Sequence, residues 1–192
     1  MNKLHQHAFK RGLVIGKFYP PHRGHKYLID TAKAQCDELT VIICWKRSET
    51  IPGNLRAAWL KKIHPDVFIK MIEDTTLEDD DSEGWAKYTL EILGYVPDAV
   101  FTSENYGDPY AKFMGSVHVL VDKARTNIPI SATMVRSNPL FYGKFLEPVV
   151  RAYFAWRICI IGAESTGTTT LAKALASHYK TVWVPEYGRS YA

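Results

Sequence analysis

Apolar and polar residues alternate along this 192-residue chain in blocks that predict strands and helices in turn. Continuous apolar, β-branched runs such as residues 39–45 (LTVIICW) are typical of parallel strands that are buried on both faces. Segments with helical spacing, such as residues 25–36 (HKYLIDTAKAQC), separate these runs. The predicted strands are 12–18, 39–45, 67–72, 98–103 and 117–121, and the predicted helices between them are 25–36, 55–63, 84–93 and 108–115.

This alternation predicts an α/β fold with a doubly wound, parallel five-stranded sheet, whose ligands bind beyond the carboxyl ends of the strands. Short helices within 130–139 and 146–154 are expected to close a first domain, residues 1–155. A strand at 157–162 (RICIIG), a glycine-rich turn, a helix and a strand at 181–187 (TVWVPEY) then predict the start of a second α/β unit, residues 156–192. Because a typical domain has about 100–150 residues, we expect this second unit to be incomplete.

Composition favours a globular protein with a small anionic partner. Apolar residues make up 46% of the chain and the net charge is +4, yet no Lys/Arg cluster is dense enough to indicate nucleic acid. Cys36, Cys44 and Cys159 are widely spaced in apolar surroundings, which favours buried, reduced thiols. No signal sequence and no apolar run of about 18 residues is present. We therefore expect a cytoplasmic location without a membrane or nucleic-acid partner.

The stretch from Gly16 to His25 (GKFYPPHRGH) carries the first candidate chemistry. It leaves a predicted strand at a glycine and enters a helix, an arrangement that directs free backbone N–H groups at an anion. His22 and His25 can converge on one oxygen-rich group, Gly24 allows a ligand to approach the backbone, and Lys17 adds a positive charge. Spacing alone does not separate a phosphate site from coincidence.

Two segments resemble the signatures of a known superfamily. GKFYPPHRGH resembles the GxFxPxHxGH signature of the HxGH nucleotidyltransferases, and ISATMVR (130–136) resembles their second signature, ISxTxxR. IPGNLRAAWL (51–60) and VDKARTNIPISATMVR (121–136) are further similar to the bifunctional NadR-type proteins, which join a nicotinamide mononucleotide (NMN) adenylyltransferase to a ribosylnicotinamide kinase. The resemblance implies a Rossmann-like first domain that transfers AMP from ATP to NMN, forming NAD and pyrophosphate, with Mg²⁺ accompanying ATP.

The resemblance also implies roles for residues at the two signatures. His22 and His25 would contact the ATP phosphates, Arg136 would hold the departing pyrophosphate, and Lys17 would supply a further cation. The implied ATP-binding residues are Gly16, Phe18, Gly24, Ser131 and Thr133. Ser131 and Thr133 can also form a helix cap, and the two interpretations can hold together.

Residues that would select NMN are implied by position in the related enzymes. These candidates are Arg56, Trp85, Asn105, Tyr106 and Asp108. Trp85 can equally be a core aromatic residue, and the last three can belong to a plain turn around Gly107. The acidic segment 73–84 is expected to be a solvated loop, so no metal ligand from the protein is expected.

A second glycine-rich loop departs from its family pattern. GAESTGTT (162–169) resembles the P-loop GxxxxGK[ST], with Gly162, Gly167 and Thr169 in place, but Thr168 stands where the phosphate-binding lysine belongs. We therefore expect a degenerate P-loop without effective kinase activity, although VPEYGR (184–189) resembles the family's nucleoside-binding segment. Some family members carry an N-terminal DNA-binding domain, and the residues before the first predicted strand are too few for one.

Two other functions stay open at this point. The same fold could transfer a nucleotide to another phosphorylated acceptor, such as phosphopantetheine, or use a cytidylyl donor. It could also serve as a non-catalytic, nucleotide-sensing regulatory module. IPGNLRAAWL and SENYGDPY (103–110) disfavour the first, and the complete set of transfer residues disfavours the second. A homo-oligomer is compatible with the sequence.

Overall fold

Five parallel strands form one sheet in the first of two units into which the chain divides, Met1–Ala155 and Trp156–Ala192. The computed structural model describes residues 7–73, 77–78 and 80–185. The strands are β1 (Phe9–Gly16), β2 (Cys36–Trp45), β3 (Phe68–Glu73), β4 (Ala99–Thr102) and β5 (Val117–Leu120), in the order β3-β2-β1-β4-β5. Every pairing is parallel, which confirms the predicted five-stranded sheet.

Helices connect the strands and continue beyond the last one. They are α1 (Arg23–Lys33), α2 (Gly53–Ile63), α3 (Ser82–Leu93), α4 (Gly107–Met114), α5 (Ala132–Ser137) and α6 (Pro148–Arg151), with a 3₁₀ helix at Phe141–Phe145. None of the helices in the described ranges is both long and apolar enough to cross a membrane. Part of the predicted acidic loop, residues 74–76 and 79, lies outside the described residues, and α3 follows it with Asp81 as its N-cap.

Alternate residues of the strands fill two separate apolar layers, one on each face of the sheet. Val14, Val41 and Phe101 belong to the layer that also includes Ile29 of α1 and Leu60 of α2. Their strand neighbours, including Leu13, Ile42 and Val100, pack with residues of α3 and α4. Because both faces are covered, the strands are apolar at successive positions, which explains the continuous apolar runs in the sequence.

A third apolar cluster fixes the last helices of this unit against α2. Trp59 of α2 packs with Ile130, Val135 of α5 and Val150 of α6, all of which are buried. This cluster holds α5, which carries the second signature, against the first half of the fold.

The second unit contains one helix, α7 (Thr168–His178), among its described residues. The predicted strand at 157–162 is wrong, and so is the described part of the strand predicted at 181–187, since neither segment pairs with another strand. A strand requires a partner for its backbone N–H and C=O groups, and these segments have none among the described residues. Ile158 and Val182 are consequently more than 80% exposed. Cys36 and Cys44 are buried as predicted, whereas Cys159 is exposed, contrary to the prediction.

Candidate active site

A large cavity of the first unit opens at the carboxyl end of β1, where the strand order reverses between β1 and β4. Its volume is about 700 Å³, and β1, the loop after it, α1, the loop after β4, and α5 all contribute to its wall. In doubly wound sheets, this switch point is where ligands bind, because the two loops that leave the sheet in opposite directions separate there. Gly16, Lys17, Phe18, His25, Thr133 and Arg136, all predicted from the sequence, line this cavity.

The loop between β1 and α1 turns sharply as it leaves the sheet. Phe18 has a φ of 46°, in the left-handed region that bulky residues rarely adopt, and its side chain is almost completely buried. Its ring lies 4.9 Å from the ring of His25, centroid to centroid. Phe18 therefore serves the site as an apolar support for His25, in addition to lining the cavity.

His22 and His25 close the start of α1 through a reciprocal capping arrangement. His22 is the N-cap, and its Nδ1 accepts hydrogen bonds from the backbone N–H groups of Gly24 (3.1 Å) and His25 (3.4 Å). The Nδ1 of His25 in turn accepts from the backbone N–H of His22 (3.3 Å). Both Nδ1 atoms are therefore acceptors, and a neutral ring then carries its proton on Nε2. This is a capping box built from histidines.

His22 is buried and His25 half-buried, and their imidazoles lie close together. Their centroids are 3.8 Å apart and their planes are nearly parallel. Burial, together with the positive charge of Arg125, lowers the pKa of His22 to about 4. Burial, then the neighbouring His22 and Arg125, lowers the pKa of His25 well below its usual range. Both rings are neutral at pH 7, and each offers an Nε2–H donor.

Arg136 reaches the same cavity from α5. Its Nη1 donates to the backbone carbonyl of Tyr19 at 2.5 Å, and its Nη2 donates to Thr133 Oγ1 at 3.1 Å. Ser131 is the N-cap of α5 and accepts from the backbone N–H of Met134 at 3.2 Å, so the predicted cap is present. The two signatures, which are more than a hundred residues apart in sequence, thus meet through Arg136 and Tyr19.

A smaller cavity of about 250 Å³ adjoins the larger one. The residues that line both form their common wall, and they are His25, Ser103, Glu104, Ala132 and Thr133. Gly24 and Ser131, which were predicted to bind ATP, line the smaller cavity along with His22. A Cβ atom at Gly24 would lie only 3.0 Å from the ring of His22, so glycine at this position avoids a steric clash with that ring.

The residues predicted to contact NMN separate into two groups. Trp85 and Tyr106 line the larger cavity; the indole Nε1 of Trp85 donates to Glu78 O at 3.0 Å, and the Tyr106 hydroxyl donates to Ile15 O at 3.2 Å. Asn105 is exposed and lines neither cavity. The Asp108 carboxylate is directed to His118, whose Nδ1 lies 2.5 Å away. The predicted roles of Asn105 and Asp108 therefore find no support in the placement of these side chains.

Arg56 is likewise not placed as the sequence led us to expect. It is fully buried, forms an ion pair with Glu49, and donates to the carbonyls of Ile51 (2.9 Å) and Lys17 (2.9 Å). Its guanidinium carbon lies 4.5 Å from the centroid of the Tyr19 ring. With its donors directed to protein acceptors, Arg56 anchors the loop that carries Lys17 and Tyr19 and does not line the cavity.

Sequence reasoning missed several residues of this region, among them four that are charged or carry a hydroxyl and contact the predicted residues or the cavities. Tyr19 and Glu49 lie between Arg56 and the larger cavity, and Glu104 and Arg125 lie at the smaller one. Tyr19 has the Arg136 guanidinium carbon 4.6 Å and the Arg56 guanidinium carbon 4.5 Å from its ring centroid. Tyr19 falls in the first signature and Arg125 in the segment VDKAR, so their positions were a usable signal.

The second unit contains its own glycine-rich loop, which lies between residue 162 and the start of α7. Gly167 is the N-cap of α7 with a φ of 83°, and Thr168 and Thr169 are the first two residues of the helix. A Cβ atom at Gly162 would lie 2.7 Å from Thr166 Oγ1, which itself donates to Ala163 O at 2.6 Å. Lys173, the next lysine along, lies over the ring of Trp183 at 4.8 Å.

The sheet order and the position of the cavity define the class of the first unit, a doubly wound α/β fold with a ligand cavity at its switch point. Solved structures with this fold include a NadR protein in complex with NAD and AMP-PNP (TM-score 0.78, 23% identity, 95% of this chain and 57% of that chain). A bifunctional NMN adenylyltransferase/ADP ribose pyrophosphatase from Francisella tularensis, complexed with AMP and a manganese ion, is more distant (TM-score 0.54, 15% identity, 90% and 55%).

Curated relatives place the chain more narrowly. It is 35% identical to the trifunctional NAD biosynthesis/regulator protein NadR of Escherichia coli strain K12 and 32% identical to that of Salmonella typhimurium strain LT2, in each case over 94% of this chain. The chain is therefore homologous to NadR. It spans about half the length of the curated relatives it matches. A family model described as an AAA domain matches residues 157–192.

Proposed function

We propose that the first unit, residues 1–155, is an NMN adenylyltransferase that transfers AMP from ATP to NMN and releases pyrophosphate. The observation that carries this proposal is the meeting of His25 with Lys17 and Arg136 at one cavity of about 700 Å³, while His22, stacked on His25, lines the adjoining cavity. The homology to proteins of NAD biosynthesis supports the choice of acceptor.

The proposed reaction replaces one phosphoanhydride bond by another. An oxygen of the NMN phosphate attacks the α-phosphorus of ATP, an O–P bond to AMP forms, and the bond from the α-phosphorus to pyrophosphate breaks. The second pKa of a phosphate monoester is about 6, so the attacking group is already ionised at neutral pH and needs no general base. The work of the protein is then to position the reactants and to offset the charge that develops.

Each residue has a distinct part in this proposal. His25 and His22 donate from Nε2 to phosphate oxygens, because the Nδ1 of each neutral ring is an acceptor and the ring proton is therefore on Nε2. Lys17 and Arg136 supply permanent positive charge, Arg136 toward the departing pyrophosphate. Gly16, Phe18, Gly24, Ser131 and Thr133 form the ATP side of the site, and Trp85 and Tyr106 the NMN side.

Mg²⁺ enters the proposal as part of the MgATP substrate. The described residues include no group of three His, Cys, Asp or Glu side chains that could hold a metal ion. Magnesium commonly keeps several waters and binds through substrate phosphates, so a protein cage is not required. The manganese ion in the Francisella tularensis structure belongs to that protein.

The direct test is the formation of NAD from purified components. With ATP, Mg²⁺ and NMN, the protein is expected to produce NAD and pyrophosphate in equal amounts, measured by chromatography and a pyrophosphate assay. The deamidated form of NMN and phosphopantetheine serve as alternative acceptors in parallel reactions. Product from another acceptor but none from NMN would replace this proposal with a different transferase, and nucleotide binding without any transfer would favour a sensing module.

A further inference from the structure

A positively charged side chain that the proposed function leaves unused lies at the smaller cavity. Arg125 lines this cavity, together with His22, His25 and Glu104. Its Nη2 donates to Glu104 Oε1 at 3.0 Å, and Glu104 lines both cavities. The Arg125 guanidinium is therefore held at the common wall of the two cavities.

The loop before α5 is built to hold Arg125 in this place. Arg125 and Asp122 have φ values of 53° and 46°, in the left-handed region that few side chains adopt. The Asp122 carboxylate accepts hydrogen bonds from the backbone N–H groups of Thr126 (2.9 Å), Asn127 (3.2 Å) and Ile128 (3.3 Å). The Asp122 carboxylate thus stabilises the turn that contains Arg125.

The charge of Arg125 acts on both signature histidines. It contributes to the lowered pKa of His22 and of His25, after burial in each case. A charge that disfavours protonation of these rings also attracts an anion bound next to them. Neutral histidines contribute donors but no net charge, so a triphosphate next to them needs cations from other elements.

The ion pair between Arg125 and Glu104 breaks at little cost in free energy. The side chains of Arg125 and Glu104 are 44% and 54% exposed, and exposed ion pairs contribute little to stability. Guanidinium groups form short, paired hydrogen bonds with phosphate oxygens, which are stronger than those between neutral groups.

We propose that Arg125 is a phosphate-binding residue, which exchanges the Glu104 carboxylate for the triphosphate of ATP when the nucleotide occupies the site. This inference rests on the proposed function, since it assigns ATP to the adjoining cavities. It adds a third cation to Lys17 and Arg136, held by the loop between β5 and α5.

The test measures nucleotide binding without turnover, by calorimetric titration of the full chain with the magnesium complex of AMP-PNP. Arg125→Ala and Arg125→Gln are expected to raise its Kd by about tenfold or more, with Arg125→Lys in between. The Kd should also depend less on salt in the first two variants, because one screened attraction is lost. The Kd for NMN alone should not change. The control is Lys123→Ala, which removes a positive charge from the same loop at an exposed position that lines neither cavity.

The variant Glu104→Gln shows whether Arg125 binds phosphate or only stabilises the loop through its ion pair with Glu104. If Arg125 binds phosphate, release from Glu104 leaves the Kd for AMP-PNP unchanged or lowers it. If the pair only closes the loop, Glu104→Gln raises the Kd as Arg125→Ala does, and that result would overturn the proposal, as would an unchanged Kd in Arg125→Ala. The binding experiment does not depend on NAD formation. If the protein binds AMP-PNP but makes no NAD, the proposed function is refuted, and the Kd values of the variants still decide the role of Arg125.

Discussion

Hydrogen bonds from the backbone determine the protonation of His22 and His25. Each Nδ1 accepts from a main-chain N–H group at the start of α1, so a proton added there would remove an acceptor from a buried cap. The same bonds that begin the helix thus fix the tautomer in which Nε2 is a donor. A structural role and the proposed catalytic role coincide in these two side chains.

Because the helix cap requires neutral His22, we predict that the folded protein loses stability at mildly acidic pH. The unfolded chain titrates His22 near its ordinary pKa of 6.5, whereas the folded chain titrates it at about 4, so the unfolded chain binds more protons between these values. The free energy of unfolding is therefore highest above pH 6.5 and falls as the pH drops toward 4, by roughly 3 kcal/mol for His22.

Urea denaturation measures this change in the free energy of unfolding, at neutral pH and at a pH about one unit above the pKa of His22 in the folded chain. His22→Asn provides the matched comparison, because asparagine retains an N-cap acceptor but does not titrate. The variant is expected to lose distinctly less stability on acidification than the unmodified chain. An equal loss in both proteins would show that His22 is not responsible.

At the level of residues, the sequence predicted most of the side chains that line the larger cavity, but Arg56 is an exception. His25, Lys17, Thr133 and Arg136 line it. Arg56 does not, because its charge is satisfied by Glu49 and backbone carbonyls inside the fold, and a sequence does not reveal those partners.

Helices and strands of the first unit follow directly from apolar periodicity, because both faces of the sheet are covered and each strand is a continuous apolar run. The strands expected at 157–162 and 181–187 had the same apolar character, but no neighbouring strand pairs with them in the described residues. Pairing is a property of the whole sheet, so local composition cannot decide it.

The start of α7 leads to a prediction about phosphorylation. Thr168 begins the helix where a P-loop has its lysine, and Lys173 packs on Trp183, so the loop lacks the cation that reaches the β- and γ-phosphates. We expect this chain not to convert nicotinamide riboside to NMN at an ordinary kinase rate. The measurement uses His25→Ala, so that any NMN formed accumulates. A turnover of about one per second or faster would contradict the prediction.

At the scale of the molecule, the two signatures form one site because the sheet and the third apolar cluster hold their elements together. α1 begins at the carboxyl end of β1, and α5 is fixed by Val135 and Ile130 against Trp59 of α2. The family resemblance identified both signatures from the sequence. Their meeting through the carbonyl of Tyr19 depends on packing across more than a hundred residues and needed the structure.

The kcat for NAD formation by His25→Ala, compared with that of His7→Ala, tests the central claim most directly. His7 is a matched control, because it lies at the surface in contact with Asp37 and lines neither cavity. We expect His25→Ala to lower kcat by about a hundredfold or more, with the fold intact by circular dichroism and a smaller effect on KM for NMN, whereas His7→Ala keeps the unmodified rate. Equal rates of NAD formation in the two variants would contradict the claim that His25 stabilises the transferring phosphoryl group.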